Sequence, residues 1–225
     1  LWLGFAGPET IYLLHDTRPV RDLLLFILKN TRKHGIYVSI SDSREHPRGG
    51  ASWLGYCCGA LYKYILSTGD TSLLEEDIGG MTVLRRLEDA LEAQLAYRDE
   101  KTGLFWTDNE LPSEVSDMGF SSSLGPNQEA VTRYRGGAGT FYNDSNAGIQ
   151  GTFLAMADIE DLAGNSDRST RYRDMAEDLE KSIQKHMWNE ELQFFCDLNK
   201  DGTINDYMGI GGFITGLFAN QVYRP

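Results

Sequence analysis

Residues 144–195 read DSNAGIQGTFLAMADIEDLAGNSDRSTRYRDMAEDLEKSIQKHMWNEELQFF, and this pattern predicts two long helices joined by a very short connection. The second helix has an apolar face whose residues recur at intervals of three and four, namely Tyr172, Met175, Leu179 and Ile183. Between the helices, Gly164-Asn165-Ser166 combines a glycine suited to a helix C-terminus with a residue that caps the next N-terminus. The stretch therefore predicts a helical hairpin over 145–163 and 167–188.

The rest of the chain repeats this rhythm of helices and connections. Apolar spacing predicts five further helices, at 4–15, 19–33, 50–67, 73–97 and 209–221. A break at Gly79-Gly80 stays open in the fourth of these, whose apolar stripe is Leu84, Leu87, Leu91 and Leu95. Two more connections are short, at 16–18 and 68–70, and three are long, at 34–49, 98–144 and 189–208. Because the long connections must emerge at one end of an up-and-down array, we expect function at that end.

Composition separates an inner layer of helices from an outer one. Helix 50–67 has Lys63 as its only Lys, Arg, Asp or Glu, and helix 209–221 has none, which is typical of helices buried on every side. Both are rich in Gly, so we expect neighbouring elements to approach them closely. Helix 167–188 is densely charged on one face, as an outer helix should be. These two layers predict an all-α fold, an (α/α)6-type toroid of helical hairpins.

Seven helices do not close a barrel of twelve. The last one has inner-layer character but no outer partner before Pro225. We therefore interpret residues 1–225 as a single toroid domain that is a fragment of a longer one. A complete smaller α-toroid and an open solenoid remain as alternatives.

The overall composition narrows the classes of partner. The 225 residues include 33 acidic and 21 basic ones, which gives a net charge of −12, and no clustered Lys/Arg face is present. This argues against nucleic acid as a partner. No apolar run approaches the roughly 18 residues of a transmembrane helix, so we expect a soluble protein. The sequence leaves the compartment and the oligomeric state open, although Asn143-Asp144-Ser145 would be a glycosylation acceptor in a secretory pathway.

Several of these segments resemble the six-hairpin glycosidase superfamily. The resemblance lies in the hairpin rhythm, and its most specific pieces are Tyr64–Asp70 (YILSTGD) and Trp188–Phe195. Within the superfamily, the loop 102–119 is similar to both trehalase-like and α-L-rhamnosidase-like members. The resemblance implies a glycoside hydrolase that inverts the anomeric centre of a terminal or short α-linked sugar.

Inverting hydrolysis needs one protonated carboxyl to protonate the leaving oxygen and one carboxylate to activate water, about 6.5 to 9.5 Å apart. The connection 98–144 supplies four acids after Trp106, namely Asp108, Glu110, Glu114 and Asp117. Thr102-Gly103-Leu104 matches the TGL that precedes the general acid of trehalase-like relatives. The resemblance therefore implies Asp117 or Glu110 as the general acid.

A third candidate acid comes from the connection 34–49. Glu45 lies between Arg44 and His46, whose charges would influence its titration. In α-L-rhamnosidases a comparable loop of acidic residues and Arg, followed by Trp, carries the general acid. That resemblance implies Glu45 as an alternative, with Trp53 as the Trp that follows.

Sugar binding needs flat apolar surfaces for the C–H face of the ring and polar groups for the hydroxyls. The aromatic candidates for substrate binding are Trp53, Trp106 and Tyr142. The polar candidates are Arg44, Asp108, Asn143 and Asp144. We expect a carbohydrate as the partner.

No metal and no cofactor is predicted. Asp197-Leu-Asn-Lys-Asp-Gly202 matches the start of a calcium loop, but the twelfth position is Met208 instead of the bidentate Glu. A plain β-turn is therefore favoured. The three cysteines, Cys57, Cys58 and Cys196, have neither metal-ligand nor disulfide spacing and are expected in the core.

Two other classes of function compete with the hydrolase. A non-catalytic helical-repeat domain would use the long loops to bind a protein, and it would expose apolar patches there. A toroidal lyase or phosphorylase would need a Tyr/His pair or a basic phosphate site, and the loops are poor in basic clusters.

Overall fold

The computed structural model describes residues 16–29, 51–106, 140–206 and 208–219. The α-helices in these ranges are α1 (Arg18–Lys29), α2 (Ala51–Thr68), α3 (Val83–Leu95), α4 (Asn143–Leu162), α5 (Ser166–Met187) and α6 (Ile210–Ala219). A 3-10 helix spans Thr71–Glu75, and two short strands, β1 (Trp188–Asn189) and β2 (Phe194–Phe195), pair antiparallel. The all-α class predicted from the sequence is confirmed. In these ranges, every helix is too short or too polar to cross a bilayer.

Five of the predicted helices correspond to α1, α2, α4, α5 and α6, while the predicted helix 4–15 lies outside the described residues. The predicted helix 73–97 is not continuous, and the break that the sequence left open at Gly79-Gly80 is confirmed. Its first part is the 3-10 helix, and Asp77 then forms an isolated bridge with Thr82 before α3 begins. The Asp77 carboxylate accepts hydrogen bonds from the backbone N–H groups of Gly79 (3.0 Å) and Gly80 (3.1 Å). These bonds hold a turn that a continuous helix could not contain.

The predicted hairpin of α4 and α5 is confirmed, and its turn has a regular helix-ending geometry. Gly164 has a φ of 80°, and its N–H donates to the carbonyl of Asp161 (3.0 Å). The N–H of Asn165 donates to the carbonyl of Glu160 (2.8 Å). This pair of bonds is a Schellman motif, which requires the left-handed conformation that glycine adopts at low cost.

Contacts divide the chain into two compact units: Leu1–Gln94 with Leu154–Tyr172, and Leu95–Phe153 with Arg173–Pro225. In the first unit the core is aliphatic, and its most buried side chains include Leu24, Ile27, Leu61, Ile65, Leu87 and Leu91. In the second unit the core is more aromatic, and it includes Phe105, Tyr142, Phe153, Leu179, Ile183 and Phe195. The apolar stripes predicted for α3 and α5 supply several of these residues.

The first unit also contains an ion-pair network that connects α3 to the first turns of α5. Glu88 is 5% exposed and forms ion pairs with Arg85 (3.3 Å) and Arg168. Glu92 pairs with Arg171 (3.1 Å). These groups line a pocket of about 300 Å³ together with Tyr172. Because each arginine has a carboxylate partner, the charges compensate one another.

The expectation that α2 and α6 are buried on every side is wrong. Leu66 on α2 is 60% exposed, and Phe213 on α6 is 66% exposed. The expected close approach to glycine occurs at Gly212, where a Cβ would collide with the Phe194 ring and the Phe195 carbonyl oxygen. At Gly59 on α2, no described atom lies within 4 Å of a Cβ position.

Candidate functional site

The N-terminal end of α4 joins several segments of the second unit. The backbone N–H of Asn143 donates to Oδ1 of Asp197 (2.9 Å), and its side-chain amide donates to the carbonyl of Phe195 (3.0 Å). Asn143 and Asp197 are only 4% and 3% exposed. A carboxylate at this place satisfies one of the otherwise unpaired N–H groups of the first helical turn. The connection between α5 and α6 is thereby fixed to the start of α4.

A second asparagine on the same turn binds a different segment. Oδ1 of Asn146 accepts a hydrogen bond from the N–H of Phe105 (2.7 Å), and its Nδ2 donates to the carbonyl of Phe105 (2.9 Å). The same Nδ2 also donates to the carbonyl of Tyr142 (2.9 Å). Asn146 is completely buried, and its amide binds the N–H and the carbonyl of Phe105, which also forms an isolated β-bridge with Arg98.

Trp106 follows directly on this bound residue. Its N–H donates to the carbonyl of Tyr97 (3.0 Å), and the two rings pack with centroids 5.1 Å apart at an angle of 60°. Trp106 is partly exposed, whereas Phe105 is buried and packs against Phe153 with ring centroids 6.0 Å apart. The indole therefore has one supported face and a free portion of surface.

The turn 98–105 sets the path of the chain into Trp106. The carboxylate of Asp99 accepts hydrogen bonds from the N–H and hydroxyl of Thr102 (both 2.8 Å) and from the N–H of Lys101 (3.2 Å). Burial acts to raise the pKa of Asp99, but these hydrogen bonds outweigh it and lower the pKa below its ordinary value. The Asp99 carboxylate therefore stabilises the turn by accepting these three hydrogen bonds.

The connection 189–208 begins with the β1 and β2 pair, in which Trp188 packs edge-on against Phe195 with ring centroids 4.9 Å apart. Leu198 exchanges backbone hydrogen bonds with Phe141 (2.9 and 3.0 Å). A β-turn lies at 199–202, where the N–H of Gly202 donates to the carbonyl of Asn199 (2.9 Å). The helix α6 begins beside the same strand, where Gly212 lies against β2. The first turns of α4 and α6 thus both meet β2.

Three of the predicted binding residues lie side by side at the start of α4. Tyr142, Asn143 and Asp144 are 1%, 4% and 1% exposed. This burial favours a role in holding the helix N-terminus over direct contact with a sugar. It also makes Asn143 a poor glycosylation acceptor, because its side-chain amide is already bonded to a carbonyl inside the protein.

Apart from Trp106, the remaining predicted site residues lie either in the first unit or outside the described residues. Trp53 lies in the first turn of α2, within the first unit. Five others lie outside the described residues: Arg44, Glu45, Asp108, Glu110 and Asp117. Of the predicted site residues, only Trp106 is a described side chain with exposed surface beside the α4 terminus.

A comparison with protein-family models gives a match to the mannosylglycerate hydrolase MGH1-like glycoside hydrolase domain over residues 79–221. The match covers well over half of the chain and includes α3, α4, α5 and α6. The chain belongs to this glycoside hydrolase family. No curated protein sequence gives a significant match.

Membership of the MGH1-like family supports hydrolysis of glycosidic bonds as the activity and a carbohydrate as the substrate. It also agrees with the resemblance to six-hairpin glycosidases and with the all-α, toroid-type class expected from the sequence. The matched region contains the entire connection 98–144, and therefore Glu110 and Asp117.

Asn146 and Asp197 are the residues of this site that the sequence interpretation missed. Asn146 stands three positions after Asn143, so both side chains fall on one side of the first turn of α4. This three-residue spacing is the feature of the sequence that could have indicated Asn146. Asn146 binds Phe105 and Asp197 binds Asn143, and both partners are distant in sequence, so nothing local in the sequence indicated them.

Proposed function

We propose that the chain is an inverting glycoside hydrolase that acts on a terminal or short α-linked sugar with loop carboxylates. One observation carries the proposal. The Nδ2 atom of Asn146 lies 2.9 Å from the carbonyl oxygens of both Phe105 and Tyr142, which flank the segment 107–139. The segment that carries the candidate acids therefore leaves from, and returns to, the N-terminal end of α4.

Chain length limits how far the first of these acids can lie from that end. Glu110 is four residues beyond Trp106, so its Cα lies within about 14 Å of the Trp106 Cα, at an upper limit of about 3.6 Å per residue. The shorter tether makes Glu110 our first candidate for an acid near Trp106, with Asp117 as its rival.

The proposed chemistry divides between protonation and activation of water. Glu110 or Asp117 protonates the leaving oxygen as general acid, and Glu45 from the connection before α2 is the third candidate. A second carboxylate accepts a proton from water on the opposite face of the sugar, which inverts the anomeric centre. Trp106 supplies a stacking surface for the sugar ring, since its indole is supported on Tyr97 and partly exposed.

The test compares two kinds of substrate in three variants, Glu45→Gln, Glu110→Gln and Asp117→Asn. Mannosylglycerate, named in the family description, and a panel of α-linked disaccharides have poor leaving groups, whereas aryl glycosides have good ones. Loss of the general acid should lower turnover of the first kind by about 10² to 10⁴-fold and spare the second. Glu177→Gln, on the exposed face of α5, is the control. Wild-type turnover of both kinds in all three variants would remove these carboxylates from the role.

A further inference from the structure

The bonding of Asn146 differs from that of the other buried amides near it. Its single amide group makes three hydrogen bonds, and two of them bind the N–H and the carbonyl of the same residue, Phe105. Asn143 binds one carbonyl through Nδ2, while its Oδ1 accepts no hydrogen bond from the described residues. Gln150, one turn further along α4, makes one bond, from Nε2 to Oε2 of Glu180 (3.2 Å).

A two-point contact with the backbone of one residue fixes its orientation more closely than a single hydrogen bond does. Phe105 also forms an isolated β-bridge with Arg98, but the hydrogen bonds of that bridge come from the neighbouring residues, so Asn146 supplies the partner for the N–H and the carbonyl of Phe105 itself. The next residue is Trp106, and the acid-bearing segment begins immediately after it. Asn146 therefore fixes the backbone of Phe105, the residue that directly precedes Trp106.

We propose that Asn146 is a positioning residue for the hydrolysis, an amide clamp on Phe105 that places Trp106, the residue from which the tether to the candidate acids starts, relative to the sugar. The inference rests on the proposed function, because it assigns a task within that reaction. Asn146 itself is completely buried and touches no substrate. It acts through the backbone of Phe105.

The chemistry of the amide explains why other side chains cannot take its place. Aspartate has the shape of asparagine and can accept from the Phe105 N–H, but its ionised form cannot donate to the two carbonyls. Alanine can neither accept a hydrogen bond from the Phe105 N–H nor donate to the two carbonyls. Because a displacement of about 1 Å can cost about a hundredfold in rate, even a folded variant should lose turnover.

The experiment compares Asn146→Ala and Asn146→Asp with a matched control, Gln150→Ala. Gln150→Ala removes a buried amide from the same helix. The hydrogen bond that is lost connects Gln150 on α4 to Glu180 on α5 and does not involve Phe105. Thermal melts show the folded fraction of each protein. The rate of hydrogen exchange at the Phe105 amide reports directly on the hydrogen bond from this amide to Asn146, and it can be measured without any enzyme activity. Turnover of a disaccharide and of an aryl glycoside measures the catalytic consequence.

We expect slow exchange at the Phe105 amide in the wild type and in Gln150→Ala, and faster exchange in Asn146→Ala. In both Asn146 variants, turnover of the disaccharide should fall by about ten to a hundredfold, more than turnover of the aryl glycoside, because misplacement of the acid matters most for poor leaving groups. Gln150→Ala should lower both alike, in proportion to its folded fraction.

Three outcomes would overturn the clamp: rapid exchange of the Phe105 amide in the wild type, the same exchange in Asn146→Ala as in Gln150→Ala, or equal losses of turnover for both substrates. The exchange rate of the Phe105 amide in the wild type tests the clamp even if neither Asn146 variant folds. Absence of any hydrolysis by the wild type would instead contradict the proposed function, while the exchange data would still test the contact with Phe105.

Discussion

Gly103 shows how a single residue sets the approach of the chain to Trp106. Its φ is 73°, and a Cβ at this position would lie 2.8 Å from Oγ of Ser182 on α5. Its carbonyl also accepts a hydrogen bond from Nε of Arg98 (3.2 Å). Both the backbone conformation and the lack of space therefore require glycine here.

Replacement of this glycine gives a sharp test at the residue scale. Gly103→Ala should lower the free energy of unfolding by about 1 to 3 kcal/mol, because alanine is strained at positive φ and meets Ser182. Gly148→Ala is the matched control, since Gly148 lies within α4 and no described atom lies within 4 Å of its Cβ position. That change should leave stability unaltered or raise it by up to about 1 kcal/mol. Urea denaturation measures both, and equal stability of Gly103→Ala and wild type would refute the assignment.

The sequence predicted single residues well where the signal was local and poorly where it was not. Gly164 and its turn were predicted, because a helix C-terminus and the next cap lie within three residues. Asn146 was missed, since its partner Phe105 is 41 positions away. The burial of Tyr142 could not be predicted from the sequence either. An aromatic residue beside a helix start can face either the core or a ligand, and only packing decides between them.

At the scale of elements, periodicity was a reliable guide and composition was not. The intervals of three and four residues predicted the buried faces of α3 and α5. The absence of charge predicted complete burial of α2 and α6, yet Leu66 and Phe213 are exposed. Lack of charge does not by itself place an element in the core, because much of any protein surface is apolar. The turn at Asp77 interrupted a predicted helix because its carboxylate binds two backbone N–H groups.

The C-terminal end of α4 gives a pH-dependent prediction. Glu160 is completely buried, with Oε2 accepting a hydrogen bond from Nδ2 of Asn165 (2.8 Å). Burial raises the pKa of Glu160 above its ordinary value of 4.5, and the hydrogen bond from Asn165 only partly offsets this. Burial, followed by the nearby Glu160 and Glu92 carboxylates, raises the pKa of Tyr172 to about 12.

A carboxyl whose pKa is raised on folding binds its proton more tightly in the native state. Its contribution to stability is therefore complete below the ordinary pKa and is lost as pH rises through the folded-state pKa. Relative to Glu160→Gln, the wild type should lose thermal stability as pH rises from about 4 to 7. Glu177→Gln, at an exposed position on α5, should show no such relative change. Parallel melting temperatures of wild type and Glu160→Gln across this range would show that Glu160 does not titrate as proposed.

For the whole molecule, the rhythm of hairpins and the resemblance to six-hairpin glycosidases led to the correct class of protein. The family match over residues 79–221 confirms a glycoside hydrolase domain, and the described helices confirm the all-α class. The sequence could not rank the catalytic acids, because Glu45, Glu110 and Asp117 lie in long connections without a periodic pattern. An acid in such a segment becomes catalytic through its surroundings, which spacing alone does not define. The single-domain interpretation of 1–225 stays a prediction.

The central claim is that this chain hydrolyses an α-linked sugar with inversion, and the anomer released first tests it most directly. Proton NMR during the first minutes of hydrolysis distinguishes the two anomers before mutarotation mixes them. We expect an α-linked substrate to release the β-anomer first, because water attacks the face opposite the leaving group. Initial release of the α-anomer would contradict the inverting mechanism, and no release of sugar from any α-linked substrate would contradict the proposed activity itself.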